Sequence, residues 1–376
     1  MTPARPIAFY APLKSPNHPL PSGDRTMARL LMKALGGAGF SPFLASELRT
    51  LDKAGDRECQ DDLRRRSLAE ADRLIARYRA MPGAMRPRLW FTYHVYYKAP
   101  DWIGPRVAEA LGIPYAVAEG SRAAKRARGS WALGHEGAEA ALDRADVVFV
   151  MTAHDREALE RAKPQRQGLV DLPPFLDLQD WPAPPSRPLP EAAPRLLTVA
   201  MMREGDKLAS YRILAVALER LRHLPWTLDV VGDGEARDEV AQLFSDMAQR
   251  VRFHGRIDSK ADLAAFYGAA DLFVWPAVNE AYGMVLLEAQ ALGCTVAAGA
   301  YGGVASVVRN GETGTLTPPG DPVALAGALS DLLGDRGRLR DLGANALRFV
   351  RQERGLDHAS LRLRNALQPL TDEAGE

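Results

Sequence analysis

Short apolar runs alternate with amphipathic stretches along most of the chain. The runs Ile7–Ala11, Leu89–His94 and Tyr115–Ala118 each have the length and composition of one buried strand. Between such runs, apolar residues recur at helical spacing, as they do from Met27 to Leu35. An alternation of this kind predicts a parallel sheet with helices packed on its faces.

The alternation occurs twice, before and after a segment crowded with prolines at residues 171–195. Prolines favour a stiff, extended linker, and 376 residues exceed what one hydrophobic core usually holds. We therefore predict two doubly wound, Rossmann-like α/β domains that face a central cleft, since ligands bind at the carboxyl ends of such strands. Their predicted bounds are 1–178 and 195–350, with a linker at 179–194 and a helical tail at 351–376 that packs back on the first domain.

The remaining predicted elements follow the same pattern. They are the helices Glu58–Arg79, Trp102–Leu111 and Asp155–Lys163, and the strands Pro42–Ala45, Val147–Met151, Leu169–Leu172, Leu196–Ala200, Thr227–Val231, Val251–His254, Leu272–Trp275 and Thr295–Ala298.

The stretch Asn279–Leu292, NEAYGMVLLEAQAL, follows the predicted strand Leu272–Trp275 almost directly. Pro276 has no N–H to continue the sheet, so it ends that strand. Gly283 and Gly293 mark the start and the end of an apolar helix. A strand, a loop and a helix N-terminus form an anion-binding site, because the first helical N–H groups have no partner and carry partial positive charge.

Two carboxylates flank this anion site. Glu280 lies in the loop, and Glu288 lies about one and a half turns into the helix. The pair suits a ligand with a phosphate in the middle and hydroxyls at both ends, such as a nucleotide sugar. Acidic residues near a helix start are also favoured by the helix dipole alone, by roughly 0.3–1 kcal/mol, so the spacing by itself leaves a structural role open.

The residues around the two carboxylates add a specific resemblance. The order Pro276, Glu280, Gly283, Glu288 and Gly293 resembles the Glu-x7-Glu signature of family 4 glycosyltransferases. Three later segments continue in that family's order: GGV at 302–304, VVRNGETG at 307–314 and PPGD at 318–321. The resemblance extends over residues 196–333 and implies the GT-B fold. It also implies metal-independent, retaining transfer of a sugar from a nucleoside-diphosphate sugar, in the synthesis of a glycan, glycolipid or glycoconjugate.

By this resemblance, residues after the strands of the second half form the donor site. Arg203 and Lys207, in the loop MMREGDK, are expected to offset the charge that grows on the leaving diphosphate. Glu280 is expected to hold the sugar hydroxyls, which completes the catalytic set. The expected donor-binding residues are Glu288 at the ribose, the backbone of Gly283, Met284 and Val285, the turn at Gly232, and Arg256 beside the base. Two alternatives stay open: Arg203 and Lys207 belong to a solvated charged loop without a catalytic role, and Arg256 is a surface residue.

The first half resembles the family less closely. Gly23 corresponds to the second glycine of the family's glycine-rich loop, with Ser22 in place of the first. Many members have a His that contacts the transferred sugar where Glu119 stands here, and His94 ends a neighbouring strand. We take Gly23, His94 and Glu119 as acceptor-side candidates, with a structural role for His94 as the alternative. The loop beside them adds Asn17, His18, Asp24 and Arg25.

Charge and composition limit the expected binding partners and cellular location. A formal net charge of +1 gives no general attraction to nucleic acid. The two cysteines fit free thiols in a reducing compartment, and no stretch reaches the roughly 20 apolar residues of a membrane span. We therefore expect a cytoplasmic protein. The basic run Arg122, Lys125, Arg126 and Arg128 fits an acidic acceptor, peripheral contact with the inner face of a membrane, or a solvated helix.

The sequence contains no Asp-x-Asp and no Cys/His cluster with metal-ligand spacing, so we expect no metal and no cofactor. The predicted function is transfer from a nucleotide-sugar donor to a glycan, lipid or small-molecule acceptor. Two alternatives share the fold: a non-catalytic nucleotide-sugar-binding protein and a sugar-nucleotide epimerase. Release of nucleoside diphosphate in the presence of acceptors indicates the transferase, and conversion of a sugar nucleotide without an acceptor indicates the epimerase.

Overall fold

The computed structural model describes residues 5–183 and 193–373, so residues 184–192 of the predicted linker lie outside the described residues. The chain divides into two compact units, one formed by residues 1–173 and 356–376 and the other by residues 174–355. Each unit contains one six-stranded sheet in which neighbouring strands are parallel. The predicted fold class of two doubly wound α/β sheets is confirmed.

The strands of the first unit are β1 (Pro6–Tyr10), β2 (Ser41–Ser46), β3 (Leu89–Val95), β4 (Tyr115–Gly120), β5 (Val147–Val150) and β6 (Gly168–Asp171). Those of the second are β7 (Arg195–Val199), β8 (Thr227–Val231), β9 (Val251–Phe253), β10 (Leu272–Trp275), β11 (Thr295–Gly299) and β12 (Gly314–Thr317). The orders are β2-β1-β3-β4-β5-β6 and β12-β11-β10-β7-β8-β9. The direction of winding therefore reverses between β1 and β3 and between β7 and β10, where doubly wound sheets open a crevice for ligands.

The helices connect and cover these strands. In chain order they are α1 (Gly23–Gly37), α2 (Arg57–Ala80), α3 (Gly104–Leu111), α4 (Ala132–Arg144), α5 (Ala153–Ala162), α6 (Asp206–Glu219), α7 (Arg237–Leu243), α8 (Lys260–Ala269), α9 (Met284–Ala291), α10 (Pro322–Gly334), α11 (Arg336–Glu353) and α12 (Leu356–Glu373).

Helix α1 illustrates how the sequence sets these elements. The Ser22 side chain accepts a hydrogen bond from the Arg25 N–H and caps the helix. The residues at helical spacing, Met27 and Leu31 among them, are fully buried. Burying one such side chain contributes about 1.5–3 kcal/mol. On its other side α1 meets α12, where Arg364 Nε donates to the Ala38 carbonyl at 3.0 Å.

Helix α4 and strand β12 are among the elements that the sequence analysis did not name. The buried residues of α4 keep helical spacing, but four of these six positions are Gly or Ala: Leu133, Gly134, Gly137, Ala138, Ala141 and Leu142. Small residues give a weak apolar signal, and they allow close packing, since a Cβ at Gly137 would lie 2.1 Å from the Trp102 indole nitrogen. Strand β12 has only four residues and pairs with β11. No described helix is long and apolar enough to cross a membrane.

Candidate active site

The loop at residues 276–283, between β10 and α9, is tightly turned and carries Glu280. Ala277 and Asn279 both have left-handed backbone conformations, with φ of 59° and 51°. Gly283 has φ of 73° and precedes the first residue of α9. Left-handed conformations are uncommon for residues other than glycine, so the surroundings must hold this loop in place.

The loop after β11 contacts the Glu280 loop on one side. The Gly303 N–H donates to the Ala281 carbonyl at 2.7 Å. A Cβ at Gly302, which has φ of 48°, would lie 2.3 Å from the Glu280 carbonyl oxygen. The GGV segment is therefore required for close approach of two backbones.

The first turns of α6 hold the Glu280 loop from another side. Asn279 Nδ2 donates to Asp206 Oδ2, and the Val278 N–H donates to the buried Ser210 Oγ, both at 3.0 Å. Asp206 and Ser210 were not predicted as site residues. Their role arises from contacts with partners 73 and 68 residues away, which no local pattern reveals.

The predicted catalytic residues Lys207 and Glu280 are brought together. Lys207 Nζ donates to Glu280 Oε2 and lies 5.4 Å from the centroid of the Trp275 ring. Trp275 Nε1 also donates to Glu280 Oε2, at 3.3 Å. The Lys207 and Glu280 side chains are 25% and 18% exposed. The pair is therefore fixed against an indole while a ligand can still reach it.

The position of Lys207 corrects one detail of the sequence prediction. Lys207 lies in the first turn of α6, which begins at Asp206, and not in the preceding loop. Gly205, with φ of 78°, makes the turn into that helix. Lys207 therefore has a more defined direction than a loop residue would have.

Arg203 lies in the loop between β7 and α6 and is half-buried. Within residues 5–183 and 193–373 its guanidinium forms no hydrogen bond or ion pair, so it is not joined to Lys207 or Glu280. A half-buried cation without a protein partner is suited to bind an external anion. Its catalytic assignment stays a prediction.

The turns that follow β7, β8 and β9 are joined through their backbones. The Gly232 N–H donates to the Gly255 carbonyl at 2.8 Å, and the Met202 N–H donates to the Asp233 carbonyl at 2.9 Å. A Cβ at Gly232, which has φ of 147°, would lie 1.8 Å from the Ala200 carbonyl oxygen. Gly232 is therefore required by the backbone of the neighbouring strand.

Glu288 lies on α9 and is held by a different partner. Tyr267, on α8, donates its hydroxyl to Glu288 Oε2 at 2.9 Å. Burial raises the pKa of Glu288, while the Tyr267 hydrogen bond and the Lys260 charge act in the opposite direction. Glu288 forms no ion pair with Lys207 or Arg203 within the described ranges. Tyr267 was not predicted, because its partner lies 21 residues further along the chain.

Arg256 follows β9, as predicted, but its side chain is directed to a local partner. The Arg256 guanidinium is 57% exposed, and Arg256 Nε donates to Asp258 Oδ1 at 2.7 Å. This geometry accords with the surface role left open by the sequence. A contact with the base stays a prediction.

In the first unit, His94 and Glu119 lie side by side on β3 and β4, where Val95 pairs with Gly120. Both have left-handed backbones, with φ of 66° and 60°. His94 Nδ1 lies 3.3 Å from Asp24 Oδ1 and 3.5 Å from Glu119 Oε1. We refer to Asp24, His94 and Glu119 as the His94 cluster. The three residues were predicted singly as candidates, and the structure brings them together.

The third acceptor-side candidate, Gly23, is the first residue of α1 and directly precedes Asp24. A Cβ at Gly23 would meet no atom within 4 Å. Nothing in the structure explains why this position is a glycine.

The carboxylates set the charge of the His94 cluster. Burial by itself lowers the pKa of His94, but Glu119, Asp24 and the more distant Asp155 outweigh it and raise that pKa to about 9. Burial raises the pKa of Glu119, which His94 opposes. For Asp24 the upward effect of burial is exceeded by His94 and Lys14, so that pKa is lowered. His94 is therefore an imidazolium at neutral pH.

This charge predicts a pH dependence of stability. Histidine in an unfolded chain titrates near pH 6.5, so protonated His94 stabilises the fold fully below that pH. The contribution is lost as the pH rises from about 6.5 to about 9. Over this window the wild type should lose roughly 2–3 kcal/mol more unfolding free energy than His94→Asn. Asn is chosen because it tolerates left-handed backbone.

Denaturant unfolding at several pH values measures this difference. Asp24→Asn is the matched control, because it removes one of the carboxylates that raise the pKa and should show a smaller loss than the wild type. Equal pH dependence in the wild type and His94→Asn would contradict the assignment of charge to His94.

The basic run requires a correction. Arg122 is not available to an acceptor, because its side chain is 5% exposed and its guanidinium pairs with Glu139 and with Asp143 Oδ1, the latter at 2.7 Å. The run is also no helix beyond the short 3₁₀ turn Ala124–Arg126. The acids that neutralise Arg122 belong to α4, which the sequence did not predict.

Comparison with known proteins places this geometry in a family. The family described as "Glycosyl transferases group 1" matches residues 193–335. A D-inositol 3-phosphate glycosyltransferase from Thermobispora bispora is 31% identical in a match of 299 positions that covers 70% of this chain and 67% of that protein. D-inositol 3-phosphate glycosyltransferase 2 from Catenulispora acidiphila is 30% identical in a match of 286 positions that covers 69% of this chain and 66% of that protein.

Two solved structures share the fold. Sucrose-phosphate synthase from Thermosynechococcus elongatus has a TM-score of 0.75 at 23% identity and covers 98% of this chain and 100% of its own. Anabaena Alr3699/HepE in complex with UDP has a TM-score of 0.70 at 15% identity and covers 96% and 99%.

Two parallel α/β units with these strand orders have the GT-B fold. The chain belongs to the glycosyl transferases group 1 family, which is family 4, and it is a glycosyltransferase. The predicted family and activity are confirmed.

Proposed function

We propose that the second unit binds the donor at the Glu280 loop and the start of α6. The observation that carries this proposal is the Lys207–Glu280 pair, held against Trp275 beside the first turn of α9. A cation and a carboxylate in this arrangement offer one partner to a diphosphate and one to sugar hydroxyls. Alr3699/HepE was solved with UDP-glucose, so UDP-glucose is the first donor to test.

In this proposal Lys207 leaves Glu280 for the diphosphate when the donor binds, and Arg203 joins it. The bond between the anomeric carbon and the diphosphate oxygen breaks, and a bond to the acceptor hydroxyl oxygen forms on the same face of the sugar. The proton of that hydroxyl passes to the departing diphosphate. Negative charge grows on the diphosphate through this step, and Lys207, Arg203 and the N–H groups of Met284 and Val285 stabilise it.

We propose that the acceptor is a hydroxyl-bearing ring with an anionic group. The relatives from Thermobispora bispora and Catenulispora acidiphila carry the name D-inositol 3-phosphate glycosyltransferase, which gives this class. The His94 cluster provides two carboxylates and one imidazolium, and these groups are suited to bind hydroxyls. We propose that hydroxyl groups of the acceptor bind there.

Glu288 is expected to bind ribose hydroxyls that do not change during the reaction. Glu288→Gln keeps the shape but removes the charge, so the Michaelis constant for the donor should rise about tenfold or more at nearly unchanged turnover. Tyr267→Phe should have a smaller effect in the same direction, because it removes only the hydroxyl that orients Glu288. Steady-state kinetics with varied donor measure both. A fall in turnover at constant donor Michaelis constant would contradict this role.

A panel of nucleotides tests donor binding without knowledge of the acceptor. Thermal unfolding is followed with UDP, GDP, ADP, dTDP and their glucose conjugates. At one hundred times its dissociation constant, the correct nucleotide should add about 2.7 kcal/mol to stability. Glu288→Gln should lose this stabilisation at the same concentration. If no nucleotide stabilises the wild type, the donor assignment is wrong.

A further inference from the structure

Three loops of the first unit lie together at the carboxyl ends of β2, β3 and β4. They are residues 51–56, 96–99 and 121–131. The Asp52 N–H donates to the Lys98 carbonyl at 2.9 Å, and Gln60 Nε2 donates to the Ser130 carbonyl at 2.8 Å. These bonds hold the loops as one surface. We refer to Tyr97, Lys98, Arg126 and Trp131 on this surface as the cation–aromatic patch.

The four side chains of the patch are stacked on one another. The ring centroids of Tyr97 and Trp131 lie 5.4 Å apart with an edge-to-face angle of 79°. Lys98 Nζ lies 5.2 Å from the Trp131 centroid and 5.8 Å from that of Tyr97. The Arg126 guanidinium carbon lies 5.2 Å from the Tyr97 centroid. All four residues are half-buried, so ring faces and charges are accessible together.

The positive charges of this surface are not neutralised. Within the described ranges, Lys98, Lys125, Arg126 and Arg128 form no ion pair. Arg126 Nε is buried without a hydrogen-bond partner there. Among the described residues, Arg122 Nε also has no hydrogen-bond partner, but the terminal nitrogens of Arg122 pair with two acids, whereas Arg126 forms no ion pair. An unpaired buried donor is costly, so an external acceptor of hydrogen bonds is the natural partner for Arg126.

The nearest acids of these loops are engaged elsewhere. The buried Asp52 accepts hydrogen bonds from the N–H groups of Ala54, Gly55 and Asp56 and from Gln60 Nε2. Asp56 is exposed and caps α2. These carboxylates stabilise the loops and, in the described part of the chain, form no ion pair with Lys98, Lys125, Arg126 or Arg128, so these cations can bind a ligand.

A line of rings joins the patch to the His94 cluster. The His94 and Tyr96 rings lie 5.0 Å apart, and the Tyr96 and Tyr97 rings lie 5.5 Å apart. The carboxylates of the His94 cluster, which are suited to bind hydroxyls, therefore lie at one end of this row of rings. The unpaired cations of the patch lie at the other end. A ligand that fits both ends has a hydroxylated ring and an anionic group.

We propose that the cation–aromatic patch binds the anionic group of the acceptor, a phosphate, while the acceptor's ring packs on Tyr97. This inference rests on the proposed function for its acceptor class and adds the residues that recognise it. Arg and Lys form strong, charge-assisted bonds with such groups, and aromatic faces cover the apolar face of a ring. The anion comes from a free ring phosphate or from a lipid headgroup that carries one.

Calorimetric titration of the full chain without donor tests the proposal. The probes are D-inositol 3-phosphate, inositol and inorganic phosphate, and vesicles of phosphatidylinositol or of phosphatidylcholine. Lys98→Gln combined with Arg126→Gln is compared with Arg222→Gln combined with Arg212→Gln, two exposed positions in the other unit that change the net charge equally. Thermal unfolding and stabilisation by UDP show that each variant is folded and retains its donor site.

Binding of D-inositol 3-phosphate to the wild type, weakened at least tenfold in the patch variant but not in the control, supports the proposal with a free acceptor. If the wild type binds phosphatidylinositol vesicles but not D-inositol 3-phosphate, and the patch variant does not bind the vesicles, the proposal is supported and the acceptor is a lipid. Binding that is equal in all variants overturns the proposal. So does the absence of binding by both D-inositol 3-phosphate and phosphatidylinositol vesicles. Because no donor is present, these results are separate from those that test the proposed function.

Discussion

Gly232→Ala is expected to destabilise the second unit by roughly 3–5 kcal/mol, the largest effect of any single substitution considered for this chain. The added Cβ would lie 1.8 Å from the Ala200 carbonyl oxygen, a distance that the backbone of the neighbouring strand cannot accommodate without movement. The φ of 147° adds strain of its own. The Gly232 N–H bond to Gly255 would be lost in any rearrangement.

Differential scanning calorimetry or thermal unfolding by circular dichroism measures this effect. For a unit of this size, each kcal/mol shifts the midpoint by about 2–4 °C, so a fall of about 10 °C is expected. Gly255→Ala is the matched control, because Gly255 has φ of 68° but open space around its Cβ position. It should cost only about 1 kcal/mol. Equal effects of the two substitutions would show that the backbone contact at Gly232 does not matter.

Lys207→Ala is expected to lower turnover by about ten- to a hundredfold. Lys207 is assigned to a diphosphate whose charge grows toward the transition state, and a charge-assisted hydrogen bond contributes roughly 1.5–3 kcal/mol. Each 1.4 kcal/mol is about a factor of ten in rate. The Michaelis constant for the donor should change less than turnover, because the interaction is stronger in the transition state than in the ground state.

Lys260→Ala is a close structural control for this variant. Lys260 Nζ pairs with Asp180 Oδ2 at 2.6 Å and lies 5.7 Å from the Trp181 centroid, much as Lys207 pairs with Glu280 beside Trp275. Loss of a lysine over an indole is therefore common to both variants. Turnover should be reduced only in Lys207→Ala. If the donor Michaelis constant alone rises there, Lys207 binds the donor without stabilising the leaving group.

Much of the fold could be predicted because apolar runs set the strands. The predicted bounds of Thr227–Val231 and Leu272–Trp275 agree with β8 and β10, since both runs are buried on two faces and end at turn residues. Helix α4 and strand β12 could not be predicted in this way. The buried face of α4 keeps helical spacing but consists mostly of Gly and Ala, which give a weak apolar signal. Strand β12 has only four residues, and its position depends on pairing with β11.

The candidate site, like the fold, could be predicted only in part. Lys207 and Glu280 were found from their positions after strand ends, while their ion pair over Trp275 depends on residues 73 apart in sequence. The basic run was interpreted without α4, so the two acids that neutralise Arg122 were missed. Sequence patterns therefore proposed candidate side chains. The fold determined which cations of the basic run are already paired, and it added Lys98, which the sequence analysis did not name.

The most direct test of the account is to measure UDP release from UDP-glucose together with the mass of the acceptor. The wild type should release UDP and form an equal amount of acceptor heavier by one hexose, with D-inositol 3-phosphate as the first acceptor. At saturating donor, Lys207→Ala should form both products about ten- to a hundredfold more slowly, and Lys260→Ala should match the wild type. If Lys207→Ala forms both products at the wild-type rate, sugar transfer does not take place at the Lys207–Glu280 pair.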